Sequence, residues 1–234
     1  MILAAGGGTR LQPLTDTCAK PLLPVGDRPV LAHIVRWLSQ HQVREIAVNL
    51  HHFPEAVVDY FGDGQAHGVS FHYSLEDELL GTAGALKPVA DFLDTTFVVV
   101  YGDVLTNLDL AAMLAFHRAR QAGLTLALYR VDDPARCGVV DVDAQGRIRQ
   151  FVEKPDPANI FTDLANGGVY IVEPAVLEQI PAGQFYDFGH DLFPKLLGQG
   201  VPLYGYPIGE AYLIDMGTPE TYAQAQLDHA QGKF

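Results

Sequence analysis

Cysteine is nearly missing from this chain: of 234 residues only Cys18 and Cys137 carry thiols, and their spacing matches no metal-ligand pattern. Two isolated thiols exclude a disulfide scaffold and a zinc module, and they imply a reducing, cytoplasmic setting. Serine is also rare, at Ser39, Ser70 and Ser74 alone, and none lies in a G-x-S-x-G elbow, which argues against a serine hydrolase. Positive charge is short as well. Fifteen Lys+Arg face 28 Asp+Glu for a formal net charge of −13, so neither nucleic acid nor a membrane is expected as a partner. No apolar run approaches the ~20 residues of a bilayer span. The short apolar opening has no basic leader and does not read as a signal peptide. Charge blocks and low-complexity tracts are absent too, and with 48% hydrophobic residues the chain reads as globular.

What is present alternates. Short β-rich runs precede helical patterns: Met1–Ala5 then Val30–Gln40, Glu45–Asn49 then Pro54–Phe61, Val69–Ser74 then Ala85–Leu93, Phe97–Tyr101 then Leu108–Ala122, and Thr125–Arg130. That order predicts βαβ units and a mostly parallel sheet covered on both faces. Farther on, Gly138–Val142 and Arg147–Val152 flank the turn signal Asp143-Ala-Gln-Gly146 and form an expected hairpin. A strand at Gly168–Val172, a helix over about Asp187–Leu197, strands at Val201–Pro207 and Tyr212–Asp215, and a helix from Pro219 complete the pattern. No Pro/Gly/Ser-rich linker divides the chain, so one domain over 1–234 is expected.

In open α/β sheets ligands sit beyond the carboxyl ends of strands, which directs attention to the loops that follow them. The first, AAGGGTRL, has Gly6, Gly7 and Gly8, whose amides can form an anion-binding nest, and Arg10, whose guanidinium forks onto phosphate oxygens. It is neither a dinucleotide fingerprint nor a P-loop, because the glycine spacing and a Gly-Lys-Ser/Thr are lacking. Lys20 follows in a proline-bounded segment, where Pro21 is expected to hold it out of the helical region. Asp103 stands just past TFVVVYG and Asp215 just past AYLI, two strand-end carboxylates suited to Mg²⁺. FVEKP offers Glu153 and Lys154, and ANGGVY offers Asn166 with two glycines, suited to hydroxyl recognition or to a bulge. His51-His52 point apart on a strand, and Asp141 and Asp143 read as solvated turn carboxylates. The acids of LEDELL read as an exposed face.

Taken in order, AGGGTRL…KPLLPV, LGTAGAL, YGD, GVV, FVEKP, NGGVY and IDMGTPE resemble the sugar-1-phosphate nucleotidyltransferases, also called nucleotide-sugar pyrophosphorylases. The resemblance runs from Ile2 to about Ala225. LGTAG and YLIDMGTPETY are most similar to guanylyltransferases acting on mannose 1-phosphate or manno-heptose 1-phosphate, with the uridylyl and thymidylyl branches as near neighbours.

This resemblance implies a Rossmann-like three-layer α/β/α sandwich on a mostly parallel mixed sheet, with a nucleotide-binding part over about 1–110 and a sugar-binding part over about 111–234. It implies that Gly6, Gly7, Gly8 and Arg10 hold the nucleotide's phosphates and that Lys20 stabilises the transition state. Gly81, Thr82 and Gly84 would line the base site. Asp103 and Asp215 would bind Mg²⁺, Lys154 would contact the sugar phosphate, and Gly138, Glu153 and Asn166 would approach the sugar ring. Its partners would be a nucleoside triphosphate and a sugar 1-phosphate, in a monomer or a homo-oligomer. Leu213 stands where many members have Trp, and no hexapeptide-repeat β-helix follows, so acyltransferase activity is not expected. Two rivals are a binding or regulatory protein without catalysis and a glycosyltransferase with Asp141/Asp143 as its metal motif.

Overall fold

The computed structural model describes all 234 residues, Met1–Phe234. Strands are numbered β1–β13 and helices α1–α6 in chain order. Residue contacts divide the chain into two compact units, one formed by Met1–Leu79, Val100–Asp109 and Ala211–Phe234, the other by Leu80–Val99 and Leu110–Glu210.

In unit 1, β1 (Ile2–Leu3) pairs in parallel with β4 (Glu45–Leu50), in register Ile2↔Val48, and β4 pairs in parallel with β5 (Ser70–Leu75). Ile46, Ala47, Val48 and Leu50 are almost fully buried, as a strand covered on both faces requires. The short strands β2 (Pro24–Val25) and β3 (Arg28–Pro29) form a hairpin that leads into α1 (Val30–Gln40). This helix buries Val30, Leu31, Ile34, Val35 and Leu38, and its Trp37 indole donates to the carbonyl of Leu108 at 2.9 Å. After α2 (Pro54–Phe61), the unit resumes with the end of β6 (Phe97–Tyr101) and with β7 (Val104–Thr106).

Its last segment contributes β13 (Leu213–Asp215), antiparallel to β7, and α6 (Pro219–Ala230). Thr218 opens α6 with a reciprocal cap shared with Thr221. The helix then grips the β2–β3 hairpin. Tyr222 and Gln226 both donate to the carbonyl of Pro24 at 2.6 Å, and the Gly26 amide donates to Gln226 at 2.9 Å.

In unit 2, β8 (Leu124–Arg130) pairs antiparallel with β11 (Leu164–Val172) and parallel with β12 (Leu203–Pro207). The expected hairpin is present as β9 (Gly138–Val142) and β10 (Ile148–Glu153), its turn bent at Gly146 with φ +82°. α4 (Leu110–Ala119) carries a buried His117 bonded to Thr125 and Glu173. Tyr170, Phe188, Phe193 and Phe151 form an aromatic core with ring centres 4.9–5.5 Å apart.

The strands of unit 1 pair in the order β6-β1-β4-β5 and those of unit 2 in the order β10-β9-β11, with β8 and β12 branching from β11, and helices pack on these mixed strands in a Rossmann-like α/β arrangement. No helix is long and apolar enough to cross a membrane.

Two expected helices are altered, each at a proline. Ala85–Leu93 is replaced by the four-residue α3 (Gly81–Gly84) and a 3₁₀ stretch Lys87–Phe92 broken at Val89, because Pro88 has no N–H to continue an α-helical ladder. The helix expected from Asp187 begins as a widened π turn over Phe188–Leu192 and becomes α5 (Phe193–Gly198), whose Pro194 likewise has no N–H to bond back to His190.

Candidate active site

The glycine loop leaves β1 under the control of a buried polar link. Asn49 accepts from the Ala4 amide at 2.9 Å and donates to Glu76 at 2.8 Å, so β4 fixes the point where the chain turns out of the sheet. Glu76 is therefore buried, in contrast to the exposed face read for LEDELL; Asp77 and Glu78 are exposed as expected.

Beyond this point the backbone is bare. The amides of Gly6, Gly7 and Gly8 donate to no group in the protein. A Cβ added at Gly6 or Gly7 would meet nothing within 4 Å, whereas at Gly8, with φ +64°, it would lie 2.8 Å from Thr15 Cγ2 and 3.3 Å from Lys20 Cβ. Gly8 is thus held by its own fold, with Thr15 donating to its carbonyl at 2.9 Å. Gly6 and Gly7 present free donors to open space.

Lys20 opens a 3₁₀ turn, Lys20–Leu22, rather than an extended stretch, and Pro21 fits as the second residue of that turn because its missing N–H would have no partner there. The Lys20 ammonium bonds to Oδ2 of Asp103, both side chains being mostly buried. Gly102 lets Asp103 sit there: its amide donates to the Leu3 carbonyl at 2.8 Å, and a Cβ would be 2.8 Å from the same oxygen.

The β7–β13 ribbon sets Asp215 opposite Val104, and the Met216 amide donates to the Asp103 carbonyl at 3.0 Å, so the two carboxylates come together. Gly217 completes the group. Its amide donates to Asp215 Oδ1 at 2.7 Å, and a Cβ there would lie 2.6 Å from Nη2 of Arg10, so the guanidinium rests where only glycine leaves room.

Asp215 is exposed as a residue, yet the protein packed around its carboxylate displaces much of the surrounding water. That burial, then the charge of Asp103, pushes its carboxyl up to about 6, against the pull of Lys20, the Gly217 amide and Arg10. Such a carboxylate is under-compensated. No third carboxylate, histidine or cysteine joins the pair. Magnesium is usually bound through one or two carboxylates plus phosphates and water, so this hard, crowded oxygen pair fits that ion.

In unit 2, the LGTAG loop is held by the segment before α5. The amides of Ala83 and Gly84 donate to the Tyr186 carbonyl at 3.0 and 2.9 Å, and the Tyr186 amide returns to Leu80 at 2.8 Å. Gly81, at φ +77°, has no space for a side chain, since a Cβ would be 2.6 Å from the Tyr186 carbonyl oxygen; at Gly84 it would be 2.8 Å from that of Gln184. Thr82 donates to Asp187 Oδ2 at 2.7 Å and accepts from the Phe188 amide at 2.9 Å. Asp187 Oδ1 meanwhile accepts from the amides of Gly189 and His190. The sequence marks Asp187 only as a helix start; its bond to Thr82 spans too much chain to leave a local signal.

Glu153 lies between two further glycines. A Cβ at Gly138 would be 2.5 Å from its Oε2, and one at Gly189 2.8 Å. Burial raises its carboxyl above the ordinary value; Lys154 lowers it, Asp187 raises it and His190 lowers it by smaller amounts. Lys154 Nζ is 3.8 Å from Glu153 Oε1, on a residue with φ +47° whose amide donates to the Cys137 carbonyl. Asn166 donates to the Tyr170 hydroxyl at 2.7 Å and accepts from the Gly168 amide at 3.1 Å, which leaves one N–H and one lone pair. The strand bulges just after it.

The predicted residues thus divide between the units: Gly6, Gly7, Gly8, Arg10, Lys20, Asp103 and Asp215 lie in unit 1, and Gly81, Thr82, Gly84, Gly138, Glu153, Lys154 and Asn166 in unit 2. Asp143 accepts from the amides of Gln145 and Arg147 at 2.9 Å, a turn carboxylate with no metal partner. His51 bonds to the Glu76 carbonyl, while His52 packs on Phe53.

Comparison with known proteins gives this geometry a context. The chain matches the family model described as Nucleotidyl transferase over residues 1–232. It is 40% identical to a UTP–glucose-1-phosphate uridylyltransferase of Synechocystis and 38% identical to a mannose-1-phosphate guanylyltransferase of Mycobacterium tuberculosis, over 96% and 99% of its length. It spans 61% and 64% of those two relatives. A D-glycero-α-D-manno-heptose 1-phosphate guanylyltransferase of Aneurinibacillus thermoaerophilus is 35% identical, and the match covers 97% of this chain and 96% of that protein. Among solved structures, a Bacillus anthracis protein described as a glucose-1-phosphate thymidylyltransferase, in complex with sucrose, superimposes with a TM-score of 0.87 at 30% identity, over 97% of this chain and 92% of that one. On the family match across nearly its whole length, the chain belongs to the nucleotidyl transferase family.

Proposed function

We propose that the protein joins a nucleoside triphosphate to a sugar 1-phosphate, giving a nucleotide sugar and pyrophosphate. A phosphate oxygen of the sugar 1-phosphate attacks the α-phosphorus, a new P–O bond forms, and the bond to the pyrophosphate breaks. The problem is repulsion between anions: at ~4 Å and an effective dielectric of ~20, each pair of unit charges opposes approach by about 4 kcal/mol. Relieving one such term is worth roughly a thousandfold in rate.

The observation that carries this reading is the unit 1 cluster, where free loop amides, Arg10 and Lys20 gather beside paired carboxylates in a chain of net charge −13. In the proposal, the Gly6, Gly7 and Gly8 amides and Arg10 bind the triphosphate, and Lys20 meets the charge that develops on the phosphates. Asp103 and Asp215 would hold Mg²⁺, which supplies further positive charge to the phosphates when bound. Glu153 and Asn166 take sugar hydroxyls, Gly138 makes room for the Glu153 carboxylate beside the sugar, and Lys154 meets the sugar phosphate. Gly81, Thr82 and Gly84 form the loop assigned to the base.

GTP with mannose 1-phosphate or a manno-heptose 1-phosphate is the preferred pair, supported by the guanylyltransferase relatives and by the LGTAG and IDMGTPETY stretches. A uridylyl or thymidylyl reading, UTP or dTTP with a glucose-type 1-phosphate, is favoured by the uridylyltransferase relative and the B. anthracis structure. The setting is the cytoplasm, where nucleoside triphosphates are made. The test is pyrophosphate release from five nucleoside triphosphates, each offered with mannose, manno-heptose, glucose, N-acetylglucosamine and N-acetylmuramate 1-phosphates. GTP with a manno-configured sugar should be fastest; no release from any pair would refute catalysis and leave a binding or regulatory protein.

A further inference from the structure

Unit 1 also carries an open groove of about 620 Å³ along α1, where Ala32, Val35, Arg36 and Ser39 follow the three-and-four spacing of one helical face. Ala32 and Val35 keep its floor low. Its charge runs against that of the whole molecule. In a chain of net charge −13, three arginines, Arg28, Arg36 and Arg44, line this groove against a single carboxylate, Asp27.

Two of the guanidiniums are held in place with donors to spare. Arg28 donates through Nε and Nη2 to Asp27, at 3.1 and 2.9 Å, which leaves Nη1. Arg44 donates through Nη1 to the carbonyl of Ser39 at 2.7 Å and to its hydroxyl, which leaves Nε and Nη2. Arg36 is exposed and donates to no protein group. Fixed, planar donors of this kind match phosphate oxygens, and arginine binds them in pairs.

The groove also has an aromatic wall. The rings of Tyr60 and His67 stack 6.2 Å apart at 23°, and Tyr60 is 50% exposed. At the end of α1 Gln42 adopts φ +65°, a left-handed position where glycine is the usual residue, so an amide side chain is kept at the rim despite its backbone strain.

We propose that this groove is a second anion site, separate from the Lys20–Asp103–Asp215 cluster, and that it takes a nucleoside di- or triphosphate. The arginines hold the phosphates and the Tyr60–His67 pair carries the base, a division that tolerates any base because each has a π-face. None of these residues belongs to the proposed catalytic set, so the site is suited to an effector rather than a substrate.

Calorimetric titration of the full chain with GDP, and separately with inorganic pyrophosphate, tests this. Arg36→Glu should bind one GDP fewer per chain than wild type, or bind it at this site at least about tenfold more weakly, because charge-assisted bonds are lost. Arg36→Gln should do the same without adding a charge, and both should turn over as wild type does without effector. Tyr60→Ala should weaken GDP at this site at least about fivefold and leave pyrophosphate unchanged. Equal GDP stoichiometry and affinity in wild type and both Arg36 variants would overturn the site. Equal effects of Tyr60→Ala on GDP and pyrophosphate would overturn the place given to the base. Loss of turnover in the catalytic variants bears only on the proposed reaction.

Discussion

The molecule has two glycine loops of similar composition and opposite surroundings. Gly6 and Gly7 in unit 1 have empty space where a side chain would go and amides without partners; Gly81 and Gly84 in unit 2 are pressed against the carbonyls of Tyr186 and Gln184. Glycine is demanded in the second loop by a neighbour that is already there; in the first, the proposed function makes it a requirement of the triphosphate. The same residue therefore points to packing in one place and to a ligand in the other, and the distinction is made by the hydrogen-bond accounting of the backbone.

Substitutions can break this contrast. The largest effect is expected in unit 1, where Asp103→Ala or Lys20→Ala should lower kcat by about a thousandfold, the value of one relieved charge pair, in a protein that still folds but melts lower for the loss of a mostly buried ion pair. Wild-type turnover in a folded Asp103→Ala protein would remove the carboxylate from the mechanism. Next comes a paired test of the glycines. Gly81→Ala combines a left-handed backbone with a Cβ 2.6 Å from a carbonyl oxygen, and should destabilise by about 2–4 kcal/mol in denaturant titrations. Gly6→Ala should alter stability by less than ~0.5 kcal/mol yet raise the KM for the nucleotide. Reversed outcomes for the two alanines would invert the reading of both loops.

A smaller loss is expected from Thr82→Val, which strips Asp187 of a donor and the Phe188 amide of its acceptor. About 1–3 kcal/mol of stability should go, with KM affected more than kcat. An unchanged denaturation midpoint would show that the tie carries no weight.

The gentlest probe is Glu153→Gln. Burial raises the folded-state pKa of Glu153 above its usual 4.5, so the ionised carboxylate is the form the fold tolerates less. Wild-type stability from this group is then highest at low pH and falls as pH rises from 4.5 through the raised value. Glutamine lacks that slope, so the variant should melt higher than wild type at neutral pH while its KM for the sugar 1-phosphate increases. Parallel melting profiles of the two proteins across that range would contradict the assignment.

Much of this was legible in the sequence because it is periodic or punctuated. Val30–Gln40, Pro54–Phe61, Phe97–Tyr101 and Gly138–Val142 have the bounds that their apolar spacing and turn residues indicate. The carboxylates at strand ends could be named singly, but not joined: β7 and β13 are three residues each, too short to show a period, and their pairing brings Asp215 to Asp103. Asp187 was equally hidden. Its local signature is that of a helix cap, and its second role lies in a bond to Thr82, 105 residues away. Glu76 looked solvated among its acidic neighbours, and only the pairing of β4 with β5 shows why one of them turns inward to Asn49.

Unit 1 is written in three separate stretches of the chain, with the whole of unit 2 spelled out before the last of them. A ribosome therefore releases Gly6, Lys20 and Asp103 early and Asp215 late, on the order of ten seconds later at ordinary elongation rates. Until Ala211–Phe234 emerges, Asp103 has no β13 beside it and Arg10 has no Gly217 to rest against. A nascent protein of this design acquires its paired carboxylates only after the whole of unit 2 has been made, so shorter chains would carry the glycine loop and Asp103 without Asp215.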